Sequence, residues 1–178
     1  ARTLVVEGEP GIGKSRFVEA CITEMVSGSV KVLSVPGYTV KNQNGMEAVL
    51  RRWFAIYGLR REHKVRYSFL LTSAGLASHA ASLREIKQMD LEQIRARVFQ
   101  EALQLFGELA RTRVVMVIED LHKADSQLLD FVRRFTESEA KADVAGRLGL
   151  VVSCRLSKEA VPPLGLKQAC VIRCGPLK

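Results

Sequence analysis

The sequence of 178 residues lacks the features that mark several large classes of protein. No apolar run approaches the roughly 18 residues that a membrane-spanning helix needs, and nothing resembles a signal peptide, so we expect a cytoplasmic protein without membrane contacts. The sequence also has no internal repeat and no low-complexity tract. Hydrophobic residues make up 47% of the chain and charged residues 26%, ordinary values for a globular protein that argue against disorder or a fibrous architecture. The length suits one well-buried α/β domain.

The sequence lacks a cysteine pattern for zinc, because its four cysteines are scattered and no C-x-x-C pair exists. Cys170 and Cys174 lie four residues apart on a predicted strand. A rise of about 3.3 Å per residue keeps them too far apart for a disulfide. With Cys21 and Cys154 they are therefore expected to be reduced thiols in the core.

Basic residues are in excess, with 27 Lys and Arg against 19 Asp and Glu and a formal net charge of +8. This excess suits a nucleotide, a nucleic acid or an acidic protein domain. Six basic residues crowd one segment around the single acid Glu62: Arg51, Arg52, Arg60, Arg61, Lys64 and Arg66. We favour a solvated or partner-covered surface over a DNA-binding face, because no aromatic platform or nucleic-acid-binding motif accompanies the charge.

A glycine-rich motif, G-x-x-x-x-G-K-S, occupies residues 8–15 between an apolar run and an amphipathic run. Such a loop turns its backbone N–H groups towards one point, and the following helix adds its positive end, so the motif predicts a phosphate-binding site. Lys14 can reach the β- and γ-phosphates, and the Ser15 hydroxyl can bind Mg²⁺. The predicted nucleotide-binding residues are Gly8, Glu9, Pro10, Gly11, Ile12, Gly13, Lys14, Ser15 and Arg16.

Two acids, Glu119 and Asp120, follow five apolar residues at 114–118. Acids at the carboxyl end of a buried parallel strand are typical of a metal-nucleotide site, since ligands bind at that edge. We assign Glu119 to Mg²⁺ and Asp120 to the attacking water, and the reverse assignment stays open. The alternative for either residue is that it caps the turn after the strand.

Three further polar residues are candidates for the same edge. Arg155 ends the fourth predicted strand, where it could read the γ-phosphate or form an ion pair with Glu119 or Asp120. His122 could sense the phosphates or hydrogen-bond within the turn. Asp125 is better placed to cap the following helix than to act in catalysis.

Periodicity predicts five strands, at residues 3–6, 30–35, 114–120, 150–153 and 169–173. It predicts helices at residues 15–25, 46–57, 91–111 and 126–140, and a more polar one at 78–88. Turn-forming residues separate these elements, at 27–29, 36–37, 42–45, 146–149 and 161–163. The pattern from residue 58 to 90 is otherwise mixed, although residues 68–76 are largely apolar.

These motifs resemble those of the AAA ATPase domain called origin-recognition-complex-like. They also resemble the signal-transduction ATPases with numerous domains (STAND), found in LuxR- and MalT-type regulators, multidomain kinases and class III cyclases. Residues 117–125 read V-I-E-D-L-H-K-A-D, close to the family's hhEDLHWAD, with Lys123 in place of Trp. Residues 8–15 match its phosphate loop, and residues 151–155 look like its sensor strand ending in Arg.

The resemblance implies a three-layer α/β/α P-loop NTPase fold with a five-stranded parallel sheet of order 5-1-4-3-2. It also implies that ATP and Mg²⁺ are the ligands. The residues alone do not separate ATP from GTP, because no base-recognition motif such as N-K-x-D is present. Residues 1–178 would form a single nucleotide-binding core. Two parts of the family would be missing, the segment that contacts adenine before the first strand and the helical lid after the last.

The leading hypothesis is a slow ATPase that switches the other domains of a larger polypeptide with its nucleotide state, with or without self-association. Lys14, Glu119, Asp120 and Arg155 would be its catalytic residues, and Ser15, Glu119 and Asp120 its metal ligands. A second hypothesis is a DNA-binding AAA module that uses the basic segment. A small-molecule kinase is a weaker third, because the sequence shows neither an acceptor pocket nor an arginine-rich lid.

Overall fold

Five parallel strands and seven helices make up the computed structural model, which describes residues 3–26, 30–37, 44–110, 112–137, 147–155, 166 and 169–175. The strands are β1 (Thr3–Gly8), β2 (Val30–Pro36), β3 (Arg113–Glu119), β4 (Leu148–Arg155) and β5 (Cys170–Cys174). The helices in these residues are α1 (Lys14–Val26), α2 (Gly45–Tyr57), α3 (Arg61–Arg66), α4 (Ser68–Ser73), α5 (Ala80–Gln88), α6 (Leu91–Leu109) and α7 (Ser126–Glu137). A 3-10 turn, Leu121–Lys123, follows β3.

The strands lie in the order β2-β3-β4-β1-β5, and every neighbouring pair is parallel. This is the predicted order 5-1-4-3-2, read from the other edge. The register places Gly8 beside Arg155 on β4 and beside Cys174 on β5. The carboxyl ends of the central strands therefore meet at the start of the phosphate loop.

Helices cover both faces of the sheet, because its strands alternate between two apolar clusters. Val6, Val117 and Val151 pack against Val18 of α1 on one face. The larger cluster, on the other face, joins alternate strand residues to α2, α6 and α7 and includes Trp53, Phe106 and Phe131. The predicted three-layer α/β/α sandwich is thus confirmed.

Local capping explains where two of the longer helices begin. The Asn44 side chain accepts a hydrogen bond from the Glu47 N–H at 2.6 Å at the start of α2. Asp90 and Gln93 form a reciprocal capping box at the start of α6. These bonds satisfy N–H groups that have no partner inside the helix.

The mixed segment between α2 and α6 folds into three short helices, of which the sequence predicted α5. Its apolar part, α4, buries Phe69, Leu70 and Leu71, and the first two belong to the large core. The adjoining α3 has no buried residue. Local periodicity is weak here because each helix has at most three turns.

Element boundaries agree with the predictions to within two residues where the structure describes both. The predicted ends of α6 at Arg111 and of α7 at Ala140 lie outside the described residues, as do the predicted turns at 27–29 and 161–163. Gly146 and Asn42 lie outside them too. No helix in the described part of the chain combines the length and apolar character needed to cross a membrane.

One prediction about the cysteines is wrong. All four thiols are free, but only Cys154 is buried; Cys21 and Cys174 are partly exposed and Cys170 is exposed. Cys170 belongs to β5, an edge strand of the described sheet, and edge strands have one side open. Strand propensity does not tell which strand lies at the edge of a sheet. The sequence therefore could not show that Cys170 would be exposed.

Candidate nucleotide-binding site

A cleft of about 940 Å³ lies at the carboxyl edge of the sheet. Its walls are the phosphate loop with the start of α1, the residue after β3, the end of β4 and the end of β5. This volume is in the range of small-molecule sites in proteins. The lining residues are Pro10, Gly11, Ile12, Gly13, Lys14, Ser15, Arg16, Phe17, Asp120, Arg155, Ile172, Arg173, Cys174 and Gly175.

The loop needs glycine for two different reasons. Gly11 and Gly13 have φ angles of 79° and 97°, in the left-handed region that side chains disfavour. Gly8 is constrained by space instead, since a Cβ there would lie 2.9 Å from the carbonyl oxygen of Cys174. The Phe17 N–H then donates to the Gly13 carbonyl at 2.9 Å as α1 begins.

Lys14 presents a buried positive charge at the cleft. Its side chain folds back so that Nζ donates to the carbonyl oxygens of Gly8 at 3.0 Å and Glu9 at 2.8 Å. The residue is 9% exposed, and no carboxylate among the described residues forms an ion pair with it. Neutral carbonyls do not balance an ammonium ion, so the cleft favours an anion.

The other predicted loop residues divide into two groups. Ser15 and Arg16 are exposed, line the cleft and stand at the first turn of α1. Gly8 and Glu9 are not among the lining residues, and their carbonyls hold Lys14. The sequence motif thus contains both residues that face a ligand and residues that shape the loop.

Asp120 lies in the same cleft, in a left-handed conformation with φ 53° and ψ 41°. Its N–H donates to Ser153 Oγ of β4 at 3.0 Å, and its carboxylate accepts from Lys123 Nζ at 2.7 Å. The Lys123 hydrogen bond lowers the pKa of the Asp120 carboxyl; partial burial opposes this, and the charges of Lys123 and Lys14 lower it further. Asp120 is therefore ionised at neutral pH.

Glu119 is placed differently from Asp120. It is the last residue of β3 and is not among the cleft-lining residues, and its Oε1 accepts from Ser34 Oγ of β2 at 3.4 Å. Strand alternation puts it on the face of Val117, which packs against α1. The two adjacent acids thus point to different surroundings.

Arg155 lines the cleft at the end of β4. The structure has no ion pair between Arg155 and either Glu119 or Asp120, the alternative that the sequence left open. The His122 Nδ1 atom accepts a hydrogen bond from the Arg155 N–H at 3.3 Å. His122 thus connects the turn after β3 with the end of β4.

The imidazole of His122 is held in its neutral form. Burial lowers the pKa of His122; the Asp120 carboxylate opposes this, while Arg155, Lys123 and Lys14 lower the pKa further. Its Nε2 atom is buried and has no hydrogen-bond partner among the described residues. The hydrogen bond of its ring thus goes to β4 and not within its own turn, and His122 is not among the residues that line the cleft.

Asp125 caps α7 as predicted, accepting from the Leu128 N–H at 2.8 Å. Its other oxygen accepts from the Gly45 N–H at the start of α2. A Cβ at Gly45 would lie 2.7 Å from Leu128 Cβ, so glycine lets the two helices meet there. One carboxylate therefore serves two helix N-termini.

Sequence reasoning missed Glu7 and Arg173. Glu7 is 1% exposed at the end of β1, and its carboxylate accepts from Arg173 Nε of β5. The neighbouring Cys154 thiol has its pKa raised to about 11, by burial first and by Glu7 second. The available signal was an acid inside an apolar strand directly before the glycine loop.

The basic segment is partly neutralised by acids. Arg51 pairs with Glu47 at 2.8 Å, Arg60 with Glu62 at 3.6 Å, and Arg66 with Glu108 at 2.7 Å. The three remaining members are exposed: Arg52, Arg61 and Lys64.

No group of three or more His, Cys, Asp or Glu side chains in the described ranges could hold a metal ion alone. Magnesium is usually held by one or two carboxylates together with substrate phosphates and water. The Ser15 hydroxyl lines the cleft, and two carboxylates, Glu119 and Asp120, stand at the carboxyl end of β3, so the residues present fit that kind of site.

A glycine loop between a buried strand and a helix, with its lysine beside an acid across the sheet edge, defines a P-loop nucleoside triphosphatase domain. The family model of the AAA ATPase domain matches residues 1–151, and the chain belongs to this family. No curated protein gave a match.

Among solved structures, Cdc6p from Pyrobaculum aerophilum is similar with a TM-score of 0.58 and 15% sequence identity. The match covers 98% of this chain and 39% of that one, so the chain spans well under half the length of that protein. A second solved structure, that of another ATPase domain, aligns with a TM-score of 0.40 and 12% identity, covering 94% of this chain and 64% of that one. The likeness to Cdc6p shows a shared fold.

Proposed function

We propose that this domain binds ATP with Mg²⁺ and acts as a nucleotide-dependent switch in a larger signalling or regulatory protein, with slow hydrolysis. The observation that carries the proposal is the Lys14 ammonium in a cleft that also contains the Asp120 carboxylate. A cation alone would suit any anion. A cation with an acid opposite suits a phosphate chain that brings its own metal.

The loop residues would bind the phosphates. The N–H groups around Gly11 and Gly13 and the start of α1 supply partial positive charge, and Lys14 would exchange its carbonyl partners for phosphate oxygens. Ser15 would place its hydroxyl on the metal. When bound, Mg²⁺ neutralises the phosphate oxygens and so stabilises the charge that develops in hydrolysis.

The two acids would divide their work according to their positions. Asp120, on the cleft wall, would orient the attacking water. Glu119, on the α1 face of β3, would hold the metal, directly or through a water molecule.

If the acids have these roles, Asp120→Asn should bind the nucleotide with Mg²⁺ as the wild type does but lose hydrolysis. Glu119→Gln should instead reduce the gain in nucleotide affinity that Mg²⁺ provides. The opposite pattern would exchange the two roles.

Arg155 would read the terminal phosphate. It lines the cleft, and neither Glu119 nor Asp120 pairs with it, so its guanidinium can respond to a new anion. Loss of that phosphate would release Arg155 at the end of β4 and alter the turn that His122 attaches to it. Attached domains or a second copy of the chain would receive the change.

Thermal unfolding with ATP, ADP or no nucleotide, each with and without Mg²⁺, tests the binding part of the proposal. A ligand at 100 times its Kd should stabilise the domain by about 2.7 kcal/mol. Lys14→Ala should abolish most of this gain in stability. Arg113→Ala should keep it, because Arg113 begins β3 and so lies at the other end of the strand from the cleft. If the Lys14→Ala variant hydrolyses ATP as fast as the wild type, the proposed ATPase activity of this site is refuted.

A further inference from the structure

The cleft has two flanks because β1 is internal to the sheet. Strands β4 and β3 lie on one side of β1, and β5 lies on the other. Asp120 and Arg155 line the first flank, and Ile172, Arg173 and Cys174 line the second. With strands about 4.8 Å apart, β3 and β5 are separated by roughly 14 Å. If the metal and the terminal phosphate lie by the acids, the sugar and base extend towards β5.

Arg173 on the β5 flank is unusually well anchored for a side chain that is 60% exposed. Its Nε donates to Glu7, whose side chain is 1% exposed and so cannot be solvated by bulk water. A buried carboxylate needs a hydrogen-bonded cation, and Arg173 is the residue that supplies it among those described. The pairing therefore fixes the guanidinium next to the phosphate loop.

The bond to Nε leaves the two terminal amino groups of the guanidinium for another acceptor. No described residue other than Glu7 bonds to Arg173. Arginine carries five donors in a rigid planar fork, so one edge can be held by protein while another faces a ligand. The acceptors that a nucleoside offers are ribose hydroxyl oxygens and ring nitrogen or carbonyl atoms of the base.

We propose that Arg173, positioned by Glu7, contacts the nucleoside half of the bound nucleotide and contributes to discrimination between nucleotides and bare polyphosphate. This inference rests on the proposed function, because it assigns a subsite within the same cleft. It assigns Glu7 a positioning role and Arg173 a direct contact. The phosphate-binding residues of the loop are separate from both.

The test compares the affinity of the protein for ATP and for inorganic tripolyphosphate, both with Mg²⁺, by calorimetry. Arg173→Gln should weaken ATP binding about tenfold, the value of one charge-assisted hydrogen bond, and leave tripolyphosphate binding within about twofold. Arg113 is the first residue of β3, at the other end of the strand from the cleft. Arg113→Gln removes the same charge there and should change neither affinity. Equal losses for both ligands would overturn the inference, since they would indicate a general effect of charge or folding.

A double variant separates ligand contact from simple neutralisation of the buried acid. If Arg173 only balances Glu7, then Glu7→Gln combined with Arg173→Gln removes the unpaired acid and restores ATP affinity, which would also overturn the inference. If Arg173 contacts the nucleoside, the double variant stays about tenfold weak for ATP and normal for tripolyphosphate. A wild-type protein that binds neither ligand would refute the proposed function, and the inference with it. If the wild type binds ATP and the Arg173→Gln variant binds it equally well, the inference is refuted and the proposed function is not.

Discussion

At the scale of single residues, the charges around the cleft are only partly neutralised. The Lys14 ammonium is bonded to two carbonyl oxygens, which do not neutralise it, whereas the Asp120 carboxylate pairs with Lys123. His122 accepts from a backbone N–H. The charge of Lys14 is therefore available to an anionic ligand.

The lowered pKa of His122 makes the stability of the folded protein depend on pH. The pKa of His122 is lower in the folded protein than the unfolded value of about 6.5, so the neutral form is the one that folding favours. The stabilisation is complete above the unfolded pKa and is lost as pH falls below it, because the unfolded chain then binds the proton more readily. Protonation also removes the acceptor for the Arg155 N–H.

Urea unfolding at about pH 7.5 and about pH 5.5 measures this effect. Wild-type protein should lose more stability between the two pH values than His122→Asn, which keeps an acceptor but does not titrate. His79→Asn, at an exposed site before α5, serves as the control and should behave as wild type. An identical loss in wild type and His122→Asn would contradict the assignment of a neutral imidazole.

At the scale of elements, Asp125 connects two helices through one side chain. It caps α7 through Leu128 and binds the first N–H of α2 at Gly45. Because α7 follows the turn that contains Asp120, this carboxylate links the cleft edge of the sheet with the start of α2.

Replacing Asp125 with Ala should destabilise the protein by more than the about 1 kcal/mol expected for one helix cap. Asp90→Ala, which removes the cap of α6 alone, provides a matched comparison. Chemical denaturation of both variants measures the difference. Equal losses would mean that the bond from Gly45 contributes little to stability.

At the scale of the whole molecule, the net charge of +8 raises the question of nucleic-acid binding. The fold resembles that of Cdc6p, but a likeness at 15% identity speaks only for the fold. Three of the six clustered basic residues are paired with acids. Paired cations release fewer counterions from DNA than free ones, so the cluster is a weaker DNA surface than its composition suggests.

We therefore expect affinity for duplex DNA to be absent, or to change little between low and moderate salt. Replacing Arg52, Arg61 and Lys64 together with Gln should leave nucleotide binding unchanged. Fluorescence anisotropy over a salt series provides the measurement. A steep fall in affinity with salt that the triple variant flattens would instead favour the DNA-binding hypothesis.

The sequence alone determined the features that depend on near neighbours. The glycine loop, the start of α1, the apolar strand before two acids and the cap at Asp125 all involve groups a few residues apart, which a linear pattern records. The strand order followed from the resemblance to a family, since periodicity does not specify which strands pair.

Tertiary structure decided everything that joins distant parts of the chain. Asp120 lines the cleft because Ser153 of β4 binds its N–H in a left-handed turn, whereas its neighbour Glu119 turns towards Ser34 of β2. Glu7 finds Arg173 because β5 pairs beside β1, and that same edge position exposes Cys170. Such contacts depend on which strands are neighbours, and that arrangement is set by burial of the whole core.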